Sequence, residues 1–236
     1  MAKTIGIIGG MGPLATADLF RKIILITDAS CDQEHIPVLI DSNTRIPDRT
    51  AAILHGGADP LPEMTASARR LEAAGADLLI MPCNTAHYFY KEVAASVGIP
   101  VLHMIRETAD LVLAKSYQKV GLLATDGTCQ AGVYQQIFDE KGIEIVKPEG
   151  RHQQAVMEVI YDGVKKANLA LDLTAFYETM DDLFARGAQV LILGCTELPV
   201  AFDFFHIDRP AIDPTRVLAA AAVRAAGAAP KPEELP

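Results

Sequence analysis

No stretch of this chain is long and apolar enough to span a bilayer. Its longest apolar runs are strand-sized, well short of the ~20 residues that a membrane helix needs. The first residues, Met1-Ala2-Lys3-Thr4, lead straight into a strand-like Ile5-Gly6-Ile7-Ile8. A charged-then-apolar leader is lacking there, so the expectation is a cytoplasmic protein without a membrane partner. Cysteine is scarce, four residues in 236, with none in a CxxC pair or at zinc-finger spacing. That argues against a disulfide scaffold and fits a reducing compartment. Positive charge is in deficit as well: 21 Lys and Arg stand against 30 Asp and Glu, a formal net charge of −9. Nucleic acid selects basic faces and is not an expected partner. An anionic small molecule would need local cations to hold it, because the global field repels it.

What the chain does have is repetition. Gly75-Ala76-Asp77-Leu78-Leu79-Ile80-Met81-Pro82-Cys83-Asn84-Thr85 aligns without gaps on Gly187-Ala188-Gln189-Val190-Leu191-Ile192-Leu193-Gly194-Cys195-Thr196-Glu197. Thr4–Gly9 is echoed by Lys119–Ala124, and Ile99–His103 by Arg209–Asp213. The offsets stay between 110 and 115 positions. A period that long denotes a duplicated domain and not a solenoid. Half of the residues are apolar, ample for two cores of about 100 residues each.

Short Val/Ile/Leu-rich runs bounded by Gly or Pro alternate with amphipathic, helix-length stretches. Strands are expected at 4–8, 38–41, 78–81 and 101–103 in the first half, and at 120–123, 143–146, 190–193 and 211–212 in the second. Helices are expected near 15–27, 62–74, 88–97, 105–115, 132–141, 152–167, 173–186 and 214–226. Such alternation builds parallel sheets covered by helices. The expected fold is therefore α/β: two pseudo-symmetric doubly wound domains, 1–102 and 103–212, each with a mainly parallel four-stranded sheet, and an active site in the cleft between them. The Gly/Ala/Pro/Glu composition after the last helix predicts a disordered tail at 229–236.

Each copy of the long repeat ends in a cysteine at the carboxyl end of a buried strand, where open parallel sheets bind ligands. A lone cysteine there is more often an inert small hydrophobe. Two at matching positions, Cys83 and Cys195, suggest one sulfur on each wall of a shared site. A strand-to-helix junction also lowers a thiol pKa. The turn Gly9-Gly10-Met11-Gly12-Pro13 fits the G-x-G-x-x-G dinucleotide fingerprint poorly; a carboxylate-sized anion or tight packing fits it better. Arg45 and Arg49 follow the second strand and are candidates for a bidentate grip on a carboxylate. Lys165 is a candidate second cation. A zinc site from Cys83, His87 and Cys195 lacks a fourth ligand, so no metal is expected.

With these residues assembled, the chain resembles the cofactor-independent aspartate/glutamate racemase superfamily, and its aspartate racemase branch in particular. The resemblance is carried by Ile5–Thr16, Ile46-Pro47-Asp48-Arg49, Met81–His87 and Gly194-Cys195-Thr196-Glu197, and it spans nearly the whole chain. Glutamate racemases typically have Asp-Ser-Gly after the first strand and Cys-Thr-His at the second cysteine. Gly10-Met11-Gly12 and Cys195-Thr196-Glu197 stand there instead. The resemblance implies interconversion of L- and D-aspartate, with glutamate a further candidate substrate, and no cofactor. It implies Cys83 and Cys195 as the acid/base pair, and Met11, Asn84, Thr85, Thr125, Thr196 and Glu197 as pocket residues. Arg49 and Lys165 would bind the side-chain carboxylate. It further implies a homodimer and a C-terminal helix, 213–228, packed back onto the first domain. A one-base relative (a decarboxylase or a dicarboxylate cis–trans isomerase) and a non-catalytic amino-acid-binding protein are the alternatives.

Overall fold

The structure, a computed structural model, describes residues 2–234, without the side chain of Glu233. The chain divides into two compact units, Met1–Glu107 with Thr215–Pro236, and Thr108–Pro214. In chain order the first unit is built from β1 (Ile5–Gly9), α1 (Pro13–Ile26), β2 (Val38–Ser42), α2 (Arg49–His55), α3 (Leu61–Ala73), β3 (Leu78–Ile80), a 3-10 turn at Thr85–Phe89 and α4 (Tyr90–Ala95). The α5 helix (Met104–Ala114) carries the chain into the second unit. There follow β4 (Lys119–Leu123), α6 (Asp126–Gln130), α7 (Val133–Glu140), β5 (Glu144–Val146), α8 (Arg151–Glu158), a π-helical turn at Val159–Val164, α9 (Thr174–Ala185), β6 (Val190–Leu193), α10 (Glu197–Phe204) and β7 (Ala211–Ile212). The last helix, α11 (Pro214–Ala225), returns to the first unit.

All strand pairs are parallel. The first sheet runs β2-β1-β3, with Ile5 opposite Val38 on one side and Leu78 on the other. Alternate side chains of a strand point to opposite faces, and the buried clusters follow that alternation. Ile5, Ile7, Leu78 and Ile80 pack with Leu19 and Ile23 of α1 and Leu218 and Val223 of α11. Ile8, Leu79 and Met81 pack with Met64, Ala68 and Leu71 of α3. Inside the first unit Lys22 is almost fully buried; its ammonium meets Asp18 at 2.5 Å and Thr215 of α11 at 2.8 Å. The second sheet runs β5-β4-β6-β7. Its core joins Leu123, Leu191 and Leu193 to Val156, Phe176, Met180 and Leu183.

Several expectations are corrected. The first sheet has three strands and not four. At the fourth position only Val101 bridges Leu79, through Leu79 N–H to Pro100 O and Leu102 N–H to Leu79 O. Pro100 has no N–H to give and α5 begins at Met104, which leaves room for a single rung. The tail expected to be disordered from 229 is held as far as it is described. Asp28 N–H bonds Ala229 O, Lys231 N–H bonds Ile26 O, and Glu234 pairs with Arg216. Backbone pairing there outweighs a composition poor in large apolar residues. Leu235 and Pro236 lie outside the described residues. The expected helix at 152–167 is in fact α8 followed by the π-helical turn, and α2, α6 and α10 are short helices beyond those expected. Among the described residues no helix is long and apolar enough to cross a membrane.

Candidate active site

The first unit gathers five of the predicted residues beyond the carboxyl ends of β1, β2 and β3. Gly10 has φ +90°, and a Cβ there would lie 2.4 Å from the backbone of Asn43. Only glycine lets the β1–α1 turn approach the β2 loop so closely. Thr16 seals the same turn: its hydroxyl accepts from Gly10 N–H and donates to Gly12 O, both at 2.9 Å. Tight packing, then, accounts for this glycine-rich turn. Met11 is buried beside it and shares a cluster with Cys83.

Asn43, overlooked in the sequence, is buried and donates to Glu63 at 2.8 Å and Ser67 at 3.2 Å, tying the loop to α3. That loop runs into α2, whose N-cap Asp48 accepts from Ala51 N–H. Arg49, first residue of α2, donates to Pro47 O at 3.0 Å and Met11 O at 3.3 Å. Its guanidinium thereby joins the two loops. Arg45 is exposed and contacts Asn43, at 3.2–3.4 Å. Asp41, at the end of β2, is taken by Arg70 at 2.7 Å.

Three residues beyond β3, Cys83 is buried, with its N–H donating to Met81 O at 2.9 Å. Asn84 and Thr85 follow, also buried, as the chain enters the 3-10 turn. His87 lies one turn on. Its Nδ1 meets Cys83 O at 2.8 Å and its Nε2 accepts from Met104 N–H at 3.1 Å. Burial holds its pKa down to about 4, and that of the adjacent His103 to about 3, where His87 and Arg106 add to the effect.

In the second unit, Cys195 occupies the matching place after β6. A Cβ on Gly194 would fall 2.7 Å from Leu122 and 3.0 Å from Leu123 O, so the backbone before the cysteine lies directly on β4. The buried Cys195 thiol donates to the Glu197 carboxylate at 2.9 Å, and Thr196 donates to the same oxygen at 3.2 Å. Burial pushes the Cys195 thiol far up, and the Glu197 charge pushes it further; the Glu197 N–H and the Lys165 ammonium oppose them. Lys165 follows the π-helical turn and sits 4.1 Å from the centroid of the Tyr161 ring. Helical irregularities of this type are frequent at functional sites.

Thr125 is buried at the end of β4 and caps α6, its hydroxyl accepting from Thr128 N–H at 3.2 Å. Tyr134 is a residue that sequence reasoning missed. It is fully buried, and burial raises its phenol pKa, with Asp213 and Cys195 adding to the rise. A tyrosine in an amphipathic helix gives no sequence signal that sets it apart. Chemically, the second unit offers a protonated thiol with an acceptor and a cation nearby. The first offers a thiol between a guanidinium loop and a histidine-braced turn. All four cysteines are free, and among the described residues no group of three or more His, Cys, Asp or Glu is placed to hold a metal.

Comparison with known proteins adds an independent line. The Asp/Glu/Hydantoin racemase family profile matches residues 8–222. An aspartate racemase of Picrophilus torridus superposes with a TM-score of 0.83 at 33% identity, covering 98% of this chain and 97% of that one. The broad specificity amino-acid racemase RacX of Bacillus subtilis is 29% identical over 232 residues, 93% of this chain and 96% of the relative. Glutamate racemase of Francisella tularensis, solved with D-glutamate, shares the fold, with a TM-score of 0.66 at 22% identity over 95% of this chain and 81% of that one.

Proposed function

The chain belongs to the Asp/Glu/Hydantoin racemase family, and on that premise we propose that it interconverts L- and D-aspartate with Cys83 and Cys195 as its two bases. It is an isomerase, an amino-acid racemase by membership; the preference for aspartate and the cysteine pair are the proposal. The observation that carries it is the equivalence of the two cysteines. Each follows the strand that pairs in parallel with the first strand of its sheet in chain order, β3 with β1 and β6 with β4. A reaction confined to one face of the α-carbon has no use for two.

In this scheme a thiolate removes the α-proton from one face: the Cα–H bond breaks, its electron pair stays on the substrate, and an S–H bond forms. The other thiol returns a proton to the opposite face, and its S–H bond breaks. The Cys195 thiol, donating to Glu197, is the acid in the resting enzyme, which leaves Cys83 as the first base. The pair exchanges roles in the reverse direction. Arg49 and Lys165 bind the side-chain carboxylate. Met11, Asn84, Thr85, Thr125 and Thr196 line the pocket, and Glu197 holds the Cys195 proton. Similarity to the aspartate racemase at 33% identity supports the substrate. No carbonyl cofactor enters the scheme. We further assign a cytoplasmic homodimer, with α1 at its interface.

The test is proton NMR of L-aspartate with the purified chain in D₂O, under thiol reductant and without cofactor. The expected result is loss of the α-proton signal together with D-aspartate on chiral analysis. Retention of that signal for aspartate, with turnover of a neutral amino acid instead, would reject the aspartate assignment. Exchange without inversion would reject the two-base scheme.

A further inference from the structure

We propose that His87 is a positioning residue for Cys83, a neutral imidazole latch that ties the cysteine's own carbonyl to the start of α5. The inference rests on the reading of Cys83 as a base. It begins from the two contacts of one buried ring: Nδ1 to Cys83 O at 2.8 Å and Nε2 to Met104 N at 3.1 Å. A carbonyl only accepts and an amide N–H only donates. Nδ1 therefore carries the proton and Nε2 presents its lone pair, so one neutral tautomer satisfies both contacts. A protonated ring would set a second N–H against that of Met104.

The surroundings preserve that state. His103 lies 4.9 Å from the His87 ring, centroid to centroid, and Tyr90 lies parallel to it at 6.2 Å. Tyr90 is itself anchored, its hydroxyl donating to Val101 O at 2.8 Å. Arg106 is the charged group nearby, acting on both His103 and Tyr90. Burial keeps His87 neutral above about pH 4.

The duplication supplies the control. In the second copy the position matching His87 is Pro199, which offers neither an imidazole nor a backbone N–H. There the Cys195 carbonyl accepts from Leu198 N–H at 3.0 Å, and the sulfur itself is held by Glu197. Cys195 is thus held through both its carbonyl and its sulfur, and Cys83 through its backbone. Fixing the backbone leaves the Cys83 sulfur unencumbered while its origin stays rigid. A misplacement of about 1 Å is enough to cost about 100-fold in rate.

The experiment uses three full-length variants, His87→Phe, His87→Asn and His87→Gln. The Asn amide reaches the place of Nδ1 and restores donation to Cys83 O; the Gln amide reaches that of Nε2 and restores acceptance from Met104 N–H. Two readouts are followed: kcat and KM for aspartate racemisation, and the rate of iodoacetamide modification of Cys83 relative to exposed Cys31, by peptide mass spectrometry. His87→Phe should lower kcat about 100-fold with KM within about threefold, and raise the Cys83/Cys31 modification ratio about tenfold. Asn should recover most of both and Gln little of either, even where Gln restores the thermal midpoint. Equal recovery by Gln, or a loss confined to KM, would reduce His87 to a structural residue and overturn the proposal. If His87→Phe does not fold, the Asn and Gln pair decides. If the wild-type chain racemises no amino acid, the functional reading fails, while the modification ratio still judges the latch.

Discussion

Glu197 illustrates how much one side chain sets here. Its carboxylate accepts the Cys195 thiol proton at 2.9 Å, and its charge is the second cause, after burial, of the raised thiol pKa. In Glu197→Gln the charge disappears and the amide is a weaker acceptor. The Cys195 thiol should then ionise at lower pH than in the wild type, though still above the ordinary cysteine range, because burial remains. Thiolate absorbance near 240 nm, followed against pH in a chain lacking the other three cysteines, reads this directly. Activity should fall about 100-fold, the low end of the range for a group that serves proton transfer. An unmoved titration would show that Glu197 is only a neighbour of the thiol. Cys83, Cys195, Arg49 and Lys165 were legible in the sequence as candidates, through the duplication and the resemblance. Asn43 and Tyr134 were not, since a buried polar residue is known only by its partners, and these come from distant segments.

At the level of elements, α1 stands out for what it leaves uncovered. One face packs into the core through Leu19, Ile23 and Ile26. On the opposite face Leu14, Phe20, Ile24 and Leu25 are 36–55% exposed, and Ile40 of the edge strand β2 is exposed as well. Exposed apolar side chains grouped on one helix suit an interaction site, and an edge strand left open invites pairing. A stable pair of copies buries about 800 Å² on each partner, a size that a 14-residue helix and its neighbours can supply. Phe20→Glu with Ile24→Glu should convert a dimer into a monomer by light scattering, with helical content unchanged. A wild-type monomer at micromolar concentration would remove the assignment. The alternation of helix and strand was readable from hydrophobic period alone, as were most boundaries. The period could not show that the fourth strand of the first sheet shrinks to one bridge at Val101, because that depends on Pro100 and on where α5 starts. Nor could it show that 159–164 winds as a π-helical turn.

Over the whole molecule, the two units bury opposite kinds of titratable group. The first holds His87 and His103, neutral, with pKa values near 4 and 3. Once unfolded, each binds a proton below about 6.5. The unfolded state then carries more protons than the native one, so stability is full above that pH and is lost as pH falls toward 4. For His87 alone, the drop from 6.5 to about 4 corresponds to about 3 kcal/mol. The second unit holds Cys195 and Tyr134, both raised by burial, and Cys129, raised to about 11. These stay protonated in the native state when the unfolded chain has released its protons. Their contribution is full below the unfolded pKa, about 8.5 for the thiols, and is lost as pH rises toward the native values. Tyr90 is raised too in the first unit, but solvent reaches it and weakens the effect. Acid should therefore loosen the first unit and alkali the second. Hydrogen exchange, corrected for intrinsic rates, should show β1 and β3 losing protection first near pH 4.5, and β4 and β6 losing it first near pH 10. Simultaneous loss in both sheets at either end would mean that the two units open as one cooperative body, whatever their separate ionisations. In His87→Asn the acid response of the first sheet should weaken, because one of its two histidines with a lowered pKa is gone, while the alkaline response of the second stays as it was.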